Sequence, residues 1–118
     1  MPDENAHSRQ AVHNREFIDF LDIDCTNYLD WVVTAIFYAA VHYIESFLAR
    51  YGAHPISHGN RCNAMSRFAP LKPVFKDYSD LHFQSERSRY LCEGFDRNIV
   101  KTELLGKLTS IETQIQKL

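Results

Sequence analysis

Residues 27–51 read NYLDWVVTAIFYAAVHYIESFLARY and form the most apolar stretch of the chain. Apolar residues recur there at three- and four-residue spacing, which is typical of one face of an α-helix: Leu29, Val32, Val33, Ile36, Phe37, Ala40, Val41, Ile44, Phe47, Leu48 and Tyr51. The stretch therefore predicts a helix that is buried along most of its circumference. At about 100° per residue, Tyr38, His42 and Glu45 also fall into one narrow sector, which predicts a buried polar set on the same helix.

The first helix is predicted over about residues 3–22. Asp3 and Glu4 lie in its first turn, where the helix dipole favours negative charge. Its apolar face becomes clear only near its end, which predicts docking by the C-terminal half, and that face comprises Ala6, His13, Phe17, Phe20 and Leu21. Thr26 or Asn27 is the expected N-cap of the central helix.

A third helix is expected after the loop that follows Gly52, the residue that ends the central helix. Ser57 is its expected N-cap, and it should run to about Phe68. Arg61 and Arg67 can face water from this helix.

Two more helices are predicted in the last third of the chain. The fourth covers about 74–92, ends at Gly94, and has one face made of Val74, Tyr78, Leu81, Ser85, Ser88 and Cys92. The fifth is capped by Asp96 or Asn98 and carries a seam of alternating four- and three-residue steps: Val100, Leu104, Leu108, Ile111, Ile115 and Leu118. Such a seam is covered either by a bundle neighbour or by a second subunit.

No segment alternates between apolar and polar residues as a strand would. The chain of 118 residues is long enough for one hydrophobic core. We therefore predict an all-α fold, an antiparallel four- to five-helix bundle, as a single domain over 1–118 with its core over about 27–118.

Charge is unevenly distributed along the chain. Most acids precede Ser46, whereas the segment from Ser46 to Lys76 has no acid and five bases, namely Arg50, Arg61, Arg67, Lys72 and Lys76. This predicts either a positive surface suited to an anionic partner or ion pairs between the middle segment and the acidic first helix.

The chain is expected to be cytoplasmic and not bound to a membrane. The first ten residues are polar and lack the apolar region of a secretory signal. Three scattered cysteines (Cys25, Cys62, Cys92) indicate reduced thiols rather than a disulfide framework. The one long apolar run is shorter than the roughly 20 residues that span a bilayer.

No motif of a nucleophilic enzyme, a phosphate-binding loop or a dinucleotide fold is present, so no catalytic residue and no cofactor are predicted. His54, His58 and Cys62 are spaced four apart, but Pro55 and Gly59 interrupt helical continuity. No metal site is therefore predicted there.

Candidate anion contacts lie on the third and fourth helices. His58 and Arg61 fall in the first turn after the Ser57 cap, where unpaired backbone N–H groups already favour an anion. Arg87 and Arg89, next to Tyr90, combine charge with an aromatic ring and suit either RNA or an ion pair within the bundle. Tyr38, His42 and Glu45 suit either proton transfer or a hydrogen-bonded scaffold.

The order of several short motifs resembles the HEPN superfamily of helical domains. These are Trp31, FYAAVH at 37–42, HPISHGNR at 54–61, Tyr78 to Leu81, and SRY at 88–90. The resemblance implies a four- or five-helix bundle, commonly a homodimer, that acts on RNA or alongside a nucleotidyltransferase partner. The usual ribonuclease motif of that superfamily, an Arg followed after four to six residues by a His, is absent.

Three hypotheses follow. The leading one is an HEPN-like domain that binds RNA, a nucleotide phosphate or a nucleotidyltransferase-type partner within a toxin–antitoxin or defence system. The second is a divergent metal-independent endoribonuclease in which His42 or His58 meets an arginine across the bundle or across a dimer. The third is a structural dimerisation or antitoxin module whose interface is the seam of the last helix.

Overall fold

The computed structural model describes all residues 1–118, and it consists of helices without any strand. The five helices are α1 (Glu4–Leu21), α2 (Leu29–Arg50), α3 (His58–Ser66), α4 (Phe75–Tyr90) and α5 (residues 97–116). A 3-10 helix, Ala69–Val74, joins α3 to α4. Helix α5 combines an α-helical turn at Arg97–Ile99, a π-helical turn at Val100–Leu104 and an α-helix at Leu105–Gln116. The prediction of an all-α bundle is confirmed.

Successive long helices run antiparallel. Glu4 at the start of α1 forms an ion pair with Arg50 at the end of α2. The hydroxyls of Thr34, early in α2, and Ser88, late in α4, lie 2.8 Å apart. Helices α1, α2, α4 and α5 therefore form an up-down-up-down bundle of 39 × 24 × 24 Å, and α3 packs at one end of it.

Helix α2 is the core of this bundle, as predicted. Most of its side chains are buried, and they contact α1, α4 and α5 at the same time. The most deeply buried are Val32, Val33, Ile36, Ala39, Ala40, Ile44 and Leu48. The ends of the predicted apolar face are less covered, because Leu29 is half-buried and Tyr51 is exposed.

By length and composition α2 could also cross a membrane. However, 78% of its apolar window is buried inside the bundle. Its hydrophobicity is thus accounted for by packing against the other helices, as in the core helix of a soluble protein.

Helix α1 docks along its whole length, so the prediction of docking by its C-terminal half is wrong. Its buried side chains are His7, Ala11 and Ile18, which form one row along the helix. Phe20, which was expected to face the core, is 82% exposed. The prediction relied on the two phenylalanines near the end of α1, Phe17 and Phe20. The face of α1 that packs against α2 is instead the one that carries His7, Ala11 and Ile18.

Two of the predicted helix caps are confirmed. The Ser57 hydroxyl accepts from the backbone N–H of Asn60 at 3.1 Å, and the Asp96 carboxylate accepts from that of Ile99 at 3.0 Å. Gly52 has a φ of 74°, the left-handed conformation that favours glycine after a helix.

Two other helix ends differ from the prediction. Helix α2 begins at Leu29, because the Thr26 hydroxyl accepts from the backbone N–H of Tyr28 and forms a turn instead of a cap. Helix α4 ends at Tyr90, and the left-handed position after it is taken by Cys92 (φ 53°) instead of Gly94.

The seam of α5 is covered within the chain. Its first five residues are buried, and Leu118 alone is exposed. The neighbours that cover the seam are α2 and α4. The hypothesis that this seam forms an interface with a second subunit is therefore wrong, since no free apolar seam remains.

The central role of α2 can be tested by truncating one side chain. Ile44→Ala, at a fully buried position, should lower the free energy of unfolding by about 2–5 kcal/mol, because the cavity that it leaves cannot close. Ile56→Ala is the matched control, since Ile56 is 87% exposed and should cost far less. Urea denaturation followed by circular dichroism measures both, and equal losses would contradict the assignment of α2 as the core.

Candidate functional site

A chain of polar contacts runs through one end of the bundle, from α3 and α4 to α1. It begins at His58, the first residue of α3, whose Nδ1 lies 2.9 Å from the hydroxyl of Tyr78. Arg61 donates to the same hydroxyl from Nη1 at 3.2 Å. Tyr78 is fully buried, so these contacts lie beneath the surface. We refer to the chain of His58, Tyr78, Arg61, Glu45, His7 and His42 as the polar relay.

The centre of the polar relay is an ion pair between Arg61 and Glu45. The Arg61 Nε and Nη2 atoms donate to Glu45 Oε1 at 3.0 and 2.7 Å, and both residues are buried. The prediction that Arg61 faces water from α3 is therefore wrong. Helix α3 is oriented so that this position faces α2, and the carboxylate of Glu45 supplies the counter-charge that burial of a guanidinium requires.

The relay continues from Glu45 to two histidines. Glu45 Oε2 lies 3.4 Å from His7 Nδ1, and His7 Nδ1 lies 3.0 Å from His42 Nδ1. One donor atom from each of these three residues lies within 4.8 Å of the others, so they could hold a metal ion. Two successive turns of α2 and the first half of α1 place them together.

The inner end of the relay opens on a cavity of about 300 Å³. His7, His42, Glu45, Arg61 and His54 line it. The Nδ1 atom of His54 is buried and has no hydrogen-bond partner, which is unusual for a buried polar atom. The cavity thus collects three imidazoles, a carboxylate and a guanidinium.

Burial and charge shift the acid–base behaviour of the relay. Burial lowers the pKa of His42. The charge of Glu45 opposes this shift, whereas the charges of His7 and Arg61 add to it. Burial alone would lower the pKa of Arg61, but its hydrogen bonds to Tyr78 and Glu45 raise it overall. At neutral pH the site therefore holds a neutral His42 beside a permanently charged Arg61.

The outer end of the relay is a stack of two histidines. The rings of His58 and His82 lie 3.4 Å apart at an interplanar angle of 5°. Burial lowers the pKa of both His58 and His82. The charge of His82 lowers the pKa of His58 further, whereas the charge of Glu86 partly offsets the lowering for His82. Two stacked rings at this distance cannot readily carry two positive charges.

The predicted set of Tyr38, His42 and Glu45 divides into two. His42 and Glu45 belong to the polar relay, but Tyr38 is 39% exposed and contacts Arg89 instead. The prediction of three buried residues is thus confirmed for Glu45, wrong for Tyr38, and only partly met by His42, which is half-buried. Its turn of α2 faces the end of α4, where the bundle is open to solvent.

The predicted pair of His58 and Arg61 does meet, but beneath the surface. Both contact the buried Tyr78 hydroxyl, and two of the three Arg61 nitrogens bind Glu45. The guanidinium of Arg61 is therefore engaged inside the bundle and does not extend the N-terminus of α3 as a surface anion contact.

The two arginines predicted on α4 differ in their partners. Arg87 pairs with Glu93 and lies over the ring of Phe95 at 5.1 Å. Arg89 has no carboxylate within ion-pair distance and is surrounded by aromatic rings. Arg87 therefore forms an ion pair within the bundle, which was one of the two predicted alternatives. Arg89 has no such pair and remains a candidate contact for an anion.

The three residues His54, His58 and Cys62 do not come together as one set. Cys62 Sγ lies 3.5 Å from His58 Nε2, whereas His54 lines the cavity at the inner end of the relay. All three cysteines are free thiols.

Four residues of the site were not identified as functional in the sequence. His7 lies in one row with Ala11 and Ile18. A histidine at helical spacing from small and apolar residues could have indicated that it faces the core. Tyr78 and His82 are four residues apart and so share one face of α4. His54 gave no periodic signal, because it lies in a loop.

Much of the charge segregation is resolved by pairing. In the acid-free middle segment, Arg50 and Arg61 pair with Glu4 and Glu45 from the acidic part of the chain, and Lys76 pairs with Asp80. Arg67 and Lys72 are exposed, and neither has a carboxylate partner within ion-pair distance. Three of the five bases are therefore paired, two of them across helices, and two remain free at the surface.

Fold and site together define a helical bundle domain with the polar relay under one end and a partly exposed cluster of Arg89, Tyr38 and Tyr90 at the other end of α4. Comparison with models of known protein families, with curated proteins and with solved structures finds no match to this chain.

The buried ion pair predicts a strong effect of neutralising Glu45. Glu45→Gln leaves the Arg61 guanidinium buried without a counter-charge and should lower the free energy of unfolding by about 3–5 kcal/mol. Glu112→Gln, in a quarter-exposed pair with Arg15, should cost no more than about 1 kcal/mol. Urea denaturation of both variants measures the difference, and similar losses would show that burial adds nothing to the pair.

The stacked histidines predict a loss of stability in acid. Their lowered pKa values mean that the folded protein binds these protons less well than the unfolded chain does. Stability is therefore fully present above the unfolded pKa of about 6.5 and is lost as the pH falls through and below that value.

The denaturation midpoint measured between pH 7.5 and pH 5 checks this expectation. His82→Phe keeps a ring against His58 but removes one titrating group, so the midpoint should fall less with acid than in the unchanged protein. His13→Gln, at an exposed position, is the control and should leave the dependence unaltered. A His82→Phe protein with the original acid dependence would contradict the assignment.

Proposed function

We propose that the chain is an HEPN-like helical domain that binds RNA through Arg89, Tyr38 and Tyr90. The group that these residues contact is the phosphate of a nucleotide. The observation that carries this proposal is the free charge of Arg89. Its guanidinium has no carboxylate partner, yet it is held in one position by several contacts. A fixed, uncompensated cation at the surface is suited to a phosphate.

Arg89 is held by its own helix and by two tyrosines. Its Nε and Nη2 atoms donate to the carbonyl and the hydroxyl of Ser85 at 3.2 and 3.1 Å. Its Nη1 atom donates to the hydroxyls of Tyr38 and Tyr90 at 3.3 and 3.2 Å. Because both hydroxyls accept from Arg89, each keeps its own hydrogen to donate to a phosphate oxygen.

Aromatic rings surround this cation. The Arg89 guanidinium carbon lies 4.9 Å from the ring centre of Tyr90 and 5.7 Å from that of Tyr38. Trp31, which is 56% exposed, lines the same groove between α1 and α2 as Tyr38. Exposed rings beside a cation are the elements with which proteins bind single-stranded RNA, by stacking and by charge.

The resemblance to the HEPN superfamily supports the wider proposal. On that basis we propose a cytoplasmic homodimer that acts within a toxin–antitoxin or defence system, with a nucleotidyltransferase-type or antitoxin partner. The absence of the usual Arg-to-His ribonuclease motif favours binding over cleavage.

The test is a titration of fluorescently labelled single-stranded RNA. Arg89→Ala should weaken binding about tenfold or more, and it should reduce the slope of log affinity against log salt by about one unit, since one phosphate contact is lost. Arg9→Ala is the matched control, because Arg9 is exposed on α1 and also lacks a carboxylate partner. Equal affinity of the Arg89→Ala and unchanged proteins would refute the proposal.

Two substitutions of Tyr38 separate the two kinds of contact. Tyr38→Phe removes a donor to phosphate but keeps the ring, whereas Tyr38→Ala removes both. A larger loss for Tyr38→Ala than for Tyr38→Phe is expected if a base stacks there.

A second candidate function is RNA cleavage by a divergent endoribonuclease. The observation that favours it is that His42, His54 and Arg61 line one cavity, so that an imidazole and a guanidinium meet across the bundle. RNA incubated with the protein in EDTA distinguishes the two functions. Intact RNA supports the binding function, whereas cleavage that disappears in the His42→Ala protein supports the enzyme.

A further inference from the structure

Three donor atoms converge where α1 crosses the C-terminal half of α2. The His7 Nδ1 atom lies 3.0 Å from His42 Nδ1 and 3.4 Å from Glu45 Oε2. A neutral imidazole has at most one hydrogen on Nδ1, so His7 cannot donate well to both neighbours. One cation placed between the three atoms would serve all of them.

The spacing of these atoms fits a metal ion. A tetrahedral zinc ion with bonds of about 2.0–2.1 Å holds its ligand atoms about 3.3 Å apart. The two measured separations lie close to that value, and all three donor atoms fall within 4.8 Å of one another. The separation between the donor atoms of His42 and Glu45, which is at most 4.8 Å, would have to approach the same value for all three to bind one ion.

The donor set selects the class of ion. Two imidazoles and one carboxylate suit zinc and similar divalent transition metals. Magnesium and calcium prefer oxygen ligands and would leave the two nitrogens poorly used.

The surroundings fix the carboxylate in a position to bind. Arg61 donates twice to Glu45 Oε1 and thereby leaves Oε2 facing the histidines. Arg61 is itself held by the buried Tyr78 hydroxyl. Partners of this kind orient the first ligands of metal centres in proteins.

The site also has an open side. The cavity of about 300 Å³ lies against all three residues, and His54 lines it with a buried Nδ1 atom that has no partner. His54 does not belong to the group of three, so its role would be to bind a water molecule on the ion. Three protein ligands and one open position are typical of catalytic rather than structural zinc.

We propose that His7, His42 and Glu45 bind one divalent transition-metal ion of the zinc class, with one coordination position open to the cavity beside His54. This site does not depend on RNA binding at Arg89, which involves none of its residues.

The experiment titrates Zn²⁺ into the complete chain, freed of any affinity tag and stripped of metal with EDTA, in an isothermal calorimeter. One equivalent should bind, and His7→Ala and His42→Ala should each weaken binding tenfold or more. His13→Ala removes an exposed histidine from α1 and should bind as the unchanged protein does. Circular dichroism establishes whether each variant is folded.

A spectroscopic measurement decides the case even if a variant fails to fold. Co²⁺ bound to the unchanged protein should give visible bands of nitrogen and oxygen coordination, without the near-ultraviolet charge-transfer band of a thiolate. Such a thiolate band, or loss of binding in His58→Ala, would move the ion to His58 and Cys62 and overturn the proposal. So would the absence of binding, or unchanged binding by folded His7→Ala and His42→Ala proteins.

Discussion

The ion pair between Glu45 and Arg61 is the constraint on which the arrangement of this end of the bundle depends. Two charges out of water are stable only while they contact each other and their remaining hydrogen bonds are made. Arg61 on α3 must therefore lie directly over Glu45 on α2. The hydroxyl of Tyr78 completes the hydrogen bonds of Arg61 and so connects α4 to the same point.

The positions of the histidines follow from that pair. Since one carboxylate oxygen is occupied by Arg61, the other faces α1, where His7 lies. His42 lies on α2 one turn before Glu45, and α3 brings His58 to the opposite side of Tyr78. A group of residues far apart in the chain is thus brought together by a single charge pair under the surface.

The positions of the helices could be predicted from the sequence, but the side-chain contacts between them could not. Periodicity identified α2 as the core, and short-range chemistry identified Ser57 as one cap and Asp96 as one of two candidates for another, because both signals are local. The burial of Arg61 depends on a carboxylate sixteen residues earlier and on the path of the loop between them. No spacing rule contains that information.

The polar line on α2 shows the same limit within one helix. Tyr38 and Glu45 share a direction around the axis but are separated by about 10 Å along it. At the height of Glu45 the neighbour is α3, whereas at the height of Tyr38 it is the end of α4, which is open to water. Angular position predicted the side of the helix, and the neighbouring elements determined whether that side was covered.

The small number of buried side chains on α1 has a consequence for the motions of the molecule. This helix buries only His7, Ala11 and Ile18, and one of the three is polar. Helix α2, in contrast, is covered on nearly every side. The amide hydrogens of α1 should therefore exchange with solvent through local opening at a lower free energy than global unfolding, and each such opening would separate His7 from His42. Anything bound between these two histidines would slow that exchange, so the order of the first helix and the occupancy of the site are thermodynamically linked.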